Sequence, residues 1–259
     1  MNRTSKLALA AVALAASTGA PATASDWKWR VTPYVWATDV GVDVAIADRT
    51  VIDEEIPIGE LLEDLETIAQ VRLEAQRGAH GLFFDLFDVT LADEATELAL
   101  PGGQGIALVT PEMGMTLLEL GGLYDPHGDQ QGLQLLYGAR VLNQRAEIDA
   151  AFELVDGSSV DRSYEIDDTL VDALIGVRYV RPLGERWSFE TKVDLSAGGT
   201  ELTWSAAPSL GWSFGEQGRY TLRAGYRRMV VDFDAADAPA DVDAEMTLSG
   251  FLVGLRVGF

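Results

Sequence analysis

Hydrophobic and polar residues alternate with a period of two along most of the chain after Asp26. The clearest segment is Leu202–Phe214, where large apolar residues and proline fall on one face and small residues on the other. Successive side chains of a β-strand point to opposite faces, so this period predicts strands with one apolar face. The same criterion predicts ten strands, at residues 27–38, 67–77, 81–92, 110–124, 132–146, 168–181, 186–197, 201–214, 219–233 and 244–259.

These segments have the length of tilted strands that cross a hydrocarbon layer, about 10 residues each. The predicted fold is therefore all-β: a closed antiparallel up-and-down transmembrane β-barrel of about ten strands. Twelve strands is the alternative, because residues 40–56 continue the alternation and could extend the first strand or form an outer hairpin. Residues 58–65 are acidic and rich in leucine, which favours one or two helical turns in a loop.

Alternation alone does not say which face points outward, but the placement of aromatic residues does. Eight of the 22 aromatic residues lie beside short turns or at the ends of the chain. In an up-and-down barrel these points share one rim, where aromatic residues form a girdle at a membrane interface. The residues concerned are Trp27, Trp29, Tyr124, Trp187, Trp212, Phe214, Tyr220 and Phe259.

The connections between the predicted strands alternate in length, as in bacterial outer-membrane barrels with short periplasmic turns and long outer loops. Only the connection at Gly198 and Gly199 is short where a long loop is expected. The short connections are 77–80, 125–131, 182–186 and 215–218, and the long acidic ones are 47–66, 93–109, 149–168 and 234–243.

The last predicted strand alternates hydrophobic residues with glycine and arginine and ends in phenylalanine. It resembles the C-terminal signature of Gram-negative outer-membrane β-barrel proteins, and Trp27-x-Trp29-x-x-x-Pro33-Tyr34-x-Trp36 is similar to the start of a proteobacterial barrel family. The resemblance implies a location in the cell outer membrane, contact with its lipid and lipopolysaccharide, and recognition by the barrel-assembly machinery. The residues that would form this assembly signal are Phe251, Val253, Leu255, Val257 and Phe259.

The first 24 residues have the pattern of a secretory signal peptide. Arg3 and Lys6 precede an apolar run at residues 7–16, and Ala22-Thr23-Ala24 offers a small-x-small cleavage site. No polar stop-transfer flank follows, which disfavours the alternative of a membrane anchor. We therefore predict a signal peptide at 1–24 and one barrel domain at 25–259.

Composition narrows the choice of chemistry. The chain has no cysteine, so it forms no disulfide and has no thiolate. Its formal net charge of −22 disfavours nucleic-acid binding, which needs clustered Lys and Arg. Acidic runs such as Asp53-Glu54-Glu55 and Asp167-Asp168 could attract divalent cations, although no run has the spacing of an EF-hand loop.

Charged residues of both signs fall on the predicted inner faces in nearly equal numbers. They favour a hydrogen-bonded ion-pair network that closes the lumen, because side chains nearly fill a small barrel and buried charges need partners. A narrow pore with selective charges is the alternative. The candidate lumen residues are Arg72, Glu74, Asp85, Glu119, Arg140, Asp172, Arg178, Glu190, Lys192, Asp194, Arg223, Arg227 and Arg256.

The sequence points to a structural or accessory barrel rather than to an enzyme. His80 and His127 are the only histidines, and both fall in predicted short turns, far from the outer rim. No carboxylate spacing singles out a catalytic pair, so we predict neither an enzyme nor a cofactor. The alternatives are a small porin-like channel for ions or small solutes and, with less support, a soluble periplasmic ligand-binding barrel.

Overall fold

Ten antiparallel strands form a closed barrel, as the alternation predicted, and two further strands lie outside the ring. The computed structural model describes residues 27–46, 49–92, 96–99, 105–154, 159–233 and 242–259. The predicted signal peptide lies outside the described residues and stays a prediction. The barrel strands are β1 (Lys28–Ile46), β3 (Leu65–Arg77), β4 (His80–Ala92), β6 (Gly105–Tyr124), β7 (Gly132–Leu154), β8 (Ser159–Pro182), β9 (Trp187–Gly198), β10 (Leu202–Phe214), β11 (Tyr220–Phe233) and β12 (Val242–Gly258).

The barrel closes where the first strand pairs with the last. The ladder between β1 and β12 runs from the pair Arg30 and Gly258 to the pair Ile46 and Val242. The backbone N–H of Phe259 also donates to the carbonyl of Trp29 at 2.9 Å. Every barrel strand therefore has two neighbours, and the ring is closed at the height where neighbouring strands pair.

The two outside strands lengthen the wall at the loop end, which is the end that carries the long connections. Strand β2 (Arg49–Ile56) forms a hairpin with the upper part of β1, and β5 (Thr96–Ala99) pairs with the upper part of β6. A short helix, α1 (Ile58–Leu61), follows β2. Residues 40–56 thus extend the first strand and also form an outer hairpin.

The β7–β8 hairpin rises above the rest of the barrel. Its strands have 23 and 24 residues, whereas β8 pairs with β9 only from Asp172 downward. Above that point, residues 159–169 of β8 are exposed on both faces. Charged residues such as Asp161 and Arg162 line this free edge, which discourages pairing with other chains.

Apolar side chains point outward and charged ones inward over most of the wall. In β8, Val171, Ile175 and Val177 are exposed, whereas Asp172 and Arg178 between them are buried. In a soluble barrel the apolar face would be the inner one. Phe83, Phe87 and Leu117 are buried and interrupt the polar inner face.

Pro33 and Pro208 lie within barrel strands, and each coincides with a break in one ladder. Pairing between β1 and β3 ends at Pro33, and the side chain of Gln70 then accepts the backbone N–H of Trp36 at 2.5 Å. The β10–β11 ladder is interrupted at Pro208 and resumes in the same register.

The short Gly198-Gly199 connection is explained by Asp172. Its carboxylate accepts hydrogen bonds from the backbone N–H groups of Gly199 and Thr200, both at 2.9 Å, and from the Thr200 hydroxyl at 2.7 Å. Gly198 has φ +145°, and a Cβ at Gly199 would lie 2.6 Å from the Val171 nitrogen. The β9–β10 connection is thus folded tightly against β8, which leaves no room for a long loop.

The predicted aromatic rim is present at the turn end of the barrel, where the short connections and both chain ends meet. Trp187 pairs with Trp212 across β9 and β10, and Trp212, Phe214 and Tyr220 stack with ring centroids 5.1 and 5.5 Å apart. In the part of the chain that the structure describes, no helix is long and apolar enough to span a membrane.

Candidate functional site

The lumen contains three ion-pair clusters, each organised around one glutamate. Glu74, Glu119 and Glu190 come from β3, β6 and β9, and each forms ion pairs with two or three cations, all of which lie on other strands except Arg72. Inward positions of different strands face one another across a narrow barrel, so charges distant in sequence meet there. All thirteen predicted lumen residues are buried or partly buried at inner positions of the wall, together with Arg30.

The Glu74 cluster joins Arg30, Arg72 and Arg178. The Glu74 carboxylate lies 2.8 Å from an Arg30 nitrogen and 2.7 Å from Arg72 Nε, and it also pairs with Arg178 Nη1. Arg72 reaches Asp85 at 3.0 Å, and Asp85 accepts the Tyr34 hydroxyl at 2.8 Å. The cluster therefore connects four strands, β1, β3, β4 and β8.

The Glu119 cluster joins Arg140, Lys192 and Arg227. Glu119 is 1% exposed, and Oε1 accepts Arg140 Nη2 at 2.7 Å and Arg227 Nη2 at 3.1 Å, while Oε2 pairs with Lys192. Asp194 pairs with Arg140 and lies 3.2 Å from Lys192. Hydrogen bonds saturate both carboxylates, as burial of charge requires.

The Glu190 cluster is the smallest and lies closest to the turn end. Glu190 Oε2 pairs with Arg223 at 2.6 Å and with Arg256 at 3.0 Å. The second guanidinium nitrogen of Arg223 donates to the Ser209 hydroxyl at 2.6 Å. This cluster connects β9, β10, β11 and β12.

An apolar layer covers the ion pairs on their loop side. Trp36 is 1% exposed, its ring packs edge-on against Phe87 at 5.4 Å, and the Arg227 guanidinium lies 4.5 Å from its centroid. The layer therefore packs directly on the Glu119 cluster. Its buried members are Tyr34, Trp36, Phe87, Leu117, Leu142, Met229, Val231, Met246 and Leu248.

Asp125 organises the turn end of the lumen. Its side chain is buried and accepts Gln76 Nε2 at 2.9 Å and the backbone N–H groups of Gln130 and His127 at 2.7 and 3.2 Å. Gln130 in turn accepts Arg30 Nη1 at 3.0 Å. The β6–β7 turn is thereby attached to the Glu74 cluster.

Burial opposes ionisation of Asp125, but the hydrogen bonds from Gln76 and the turn backbone outweigh it and lower the pKa of its carboxyl. A lowered folded-state pKa stabilises the fold above the unfolded value of about 3.9, and this contribution is lost as pH falls through the folded value. The native protein should lose unfolding free energy as the pH falls from 5 to 2. We expect this loss to be smaller in Asp125→Asn, which has no carboxylate to protonate at this position. Urea unfolding of both proteins at several pH values measures this difference, and identical pH slopes would contradict the assignment.

Sequence reasoning missed three parts of this site. Arg30 is inward by the same alternation that places Trp29 outward, so it could have been included. Asp125 begins an Asp-Pro-His-Gly segment, the signature of a type I turn, and the Gly128 N–H does donate to the Asp125 carbonyl at 3.1 Å. The apolar layer leaves no signal in single strands, because it forms only when six strands meet.

The other candidate residues lie at the surface of the barrel. Phe251, Val253 and Phe259 of the predicted assembly signal are 73%, 51% and 58% exposed, so they are available to lipid or to a partner. His80 opens β4 beside Tyr124, and His127 lies in the β6–β7 turn. Among the described residues, no group of three or more His, Cys, Asp or Glu is placed to hold a metal ion.

Comparisons with known proteins give structural neighbours only. No protein-family model matches the chain, and no curated protein matches it. The neighbours are Gram-negative outer-membrane β-barrel proteins. The outer membrane protease OmpT of Escherichia coli has a TM-score of 0.49 at 8% identity, over 90% of this chain and 97% of its own.

Two further neighbours are more distant. The attachment invasion locus protein Ail of Yersinia pestis has a TM-score of 0.28 at 10% identity, over 90% of this chain and 98% of its own. The toluene transporter TodX of Pseudomonas putida has a TM-score of 0.32 at 11% identity, over 91% of this chain and 90% of its own. At this distance no activity carries over, and the description of the barrel rests on its own strand pairing.

Proposed function

We propose that this protein is an outer-membrane β-barrel with a closed lumen and a structural or accessory role. The observation that carries the proposal is the filled lumen, in which three ion-pair clusters lie between Asp125 at one end and the apolar layer at the other. A water-filled pore needs an open path past these groups, and Glu119, Arg140 and Leu136 are at most 2% exposed.

The outward apolar belt supports a membrane location. In β8 the outward residues from 171 to 179 are all apolar. At about 3.3 Å per residue and a tilt of about 40°, this segment of the strand spans roughly 23 Å along the barrel axis. This height is close to the ~25 Å apolar band of outer-membrane barrels. Arg181 and Asp167 lie below and above it.

The same belt favours the outer-membrane proposal over a soluble periplasmic barrel. Tyr137, Leu195 and Leu210 are 50%, 49% and 48% exposed on neighbouring strands, which is unusual for a protein surrounded by water. The route of insertion that we propose begins with export by the predicted signal peptide. The barrel-assembly machinery then recognises the terminal strand and inserts the barrel. In the membrane, lipopolysaccharide lies next to the acidic loops.

Conductance across a planar lipid bilayer distinguishes a closed barrel from a small channel. We expect the refolded protein to insert without a stepwise current at neutral pH, because the ion-pair clusters and the apolar layer block the path through the lumen. Protein insertion is verified independently by protease protection and by the unboiled gel band. Reproducible single-channel steps with inserted protein would contradict the closed lumen and favour the channel.

The accessory role is assigned to the part of the barrel outside the belt. The β7–β8 hairpin and the paired strand β5 extend the wall at the loop end, where the exposed residues are mainly acidic or polar. The described residues of the loop end include no histidine, and no group of three or more His, Cys, Asp or Glu among them is placed to hold a metal ion. We therefore favour a non-enzymatic role.

A further inference from the structure

The buried charges of the lumen do not balance. The three clusters contain eight cations and five carboxylates, an excess of three positive charges, and each cluster has one more cation than carboxylate. Including Asp172 and Asp125, which are held by hydroxyl, amide and backbone donors, still leaves an excess of one. This excess lies inside a chain whose net charge is −22.

A cavity of about 90 Å³ lies among these clusters. We call it the lumen chamber. Gly225 and Gly254, at inner positions of β11 and β12, line it together with two carboxylates, Asp85 and Glu190. Six cations line it as well: Arg72, Arg178, Lys192, Arg223, Arg227 and Arg256.

Several lining guanidinium groups have donors without an acceptor. Arg72 Nη2, Arg178 Nη2 and Arg256 Nε are buried and make no hydrogen bond to any described residue. The Arg178 side chain is only 1% exposed. A buried donor and an uncompensated buried charge both destabilise a fold, so an acceptor with negative charge would stabilise this arrangement.

We propose that the lumen chamber binds one small inorganic anion, such as chloride or a tetrahedral oxyanion. Water has a liquid volume of about 30 Å³ per molecule, so the chamber accommodates about three waters or one such anion. Guanidinium groups are suited to planar, bidentate contacts with oxyanions and are not deprotonated near neutral pH. The bound anion neutralises part of the excess and joins the Glu74 and Glu190 clusters across the barrel.

The test is the stability of the refolded barrel in chloride, sulfate and gluconate salts at one ionic strength. Gluconate is too large for the chamber. At an anion concentration a hundred times the dissociation constant, the unfolding equilibrium constant should fall about 100-fold relative to gluconate. Equal stability in chloride, sulfate and gluconate overturns the proposal.

A pair of variants separates the site from general salt effects. Ser209 lines the chamber and contacts Arg223, so Ser209→Asp adds a carboxylate that takes the place of the anion. We expect S209D to lose the anion dependence, whereas the matched neutral variant S209N keeps it. Equal anion responses of S209D and S209N overturn the proposal, since a general effect of the salt on the surface would persist in both.

Two further measurements keep the test independent of the folding of S209D. Arg256→Gln removes one lining cation at a partly exposed position and should weaken the anion effect at least tenfold, whereas Arg145→Gln on the exposed hairpin should not change it. Crystals grown in bromide should show an anomalous peak in the chamber. An unchanged anion effect in R256Q, or a chamber with water alone in bromide, would contradict the site.

Discussion

Replacing Ile175 with arginine is expected to destabilise the barrel by about 2–4 kcal/mol in lipid and to reduce its assembly in the outer membrane. Ile175 lies in the middle of the outward belt of β8 and is 58% exposed. At that depth the guanidinium would face hydrocarbon and could not reach water without thinning the bilayer. The measurement is urea unfolding of the protein refolded into lipid vesicles.

Ile166 provides the matched control on the same strand. It is 70% exposed and lies nine residues nearer the loop end than Ile175, in the hairpin that rises above the belt. Ile166→Arg should therefore change stability by less than about 0.5 kcal/mol, as surface substitutions generally do. Equal effects of I175R and I166R would show that the belt does not face lipid.

Replacing Glu119 with glutamine is expected to lower the free energy of unfolding by about 3–5 kcal/mol, because it removes one partner of a buried ionic network. Arg140, Lys192 and Arg227 would then share Asp194 as their remaining carboxylate. The variant tests whether the lumen clusters stabilise the barrel. Urea unfolding of refolded protein, with the gel shift between folded and unfolded bands as readout, measures the difference.

Glu165→Gln is the control for this loss. Glu165 is 60% exposed in the β7–β8 hairpin and lies 4.0 Å from Arg145, which is itself 51% exposed. Surface ion pairs of this kind contribute about 0–1 kcal/mol. If E119Q loses no more unfolding free energy than E165Q, the Glu119 cluster is open to water. That result would contradict a closed lumen.

The strands of the barrel could be predicted from the sequence because each one carries its own signal. Lipid outside and charge inside impose a period of two on every strand, so the ten predicted segments overlap the ten barrel strands. The loop ends were less predictable. The upper part of β8 is exposed on both faces, so no alternation of burial marks the start of this strand at Ser159.

The partners inside the lumen could not be predicted, because they depend on the stagger of the whole barrel. Sequence alternation places Glu119 and Arg227 inward, although they are 108 residues apart in the chain. Only the register of the closed barrel brings Arg227 Nη2 within 3.1 Å of Glu119 Oε1. The same holds for Asp172, whose acidic side chain suggests an ion pair. The structure instead uses it to hold the Gly199 and Thr200 backbone.

The most direct test of the closed membrane barrel is its migration on a gel before and after boiling, using protein recovered from the outer-membrane fraction. A closed barrel resists detergent at room temperature because all ten strands are paired on both sides. We predict a faster band for the unboiled sample and a slower band after boiling. Recovery of the protein in the soluble periplasmic fraction, with one band under both conditions, would contradict the account.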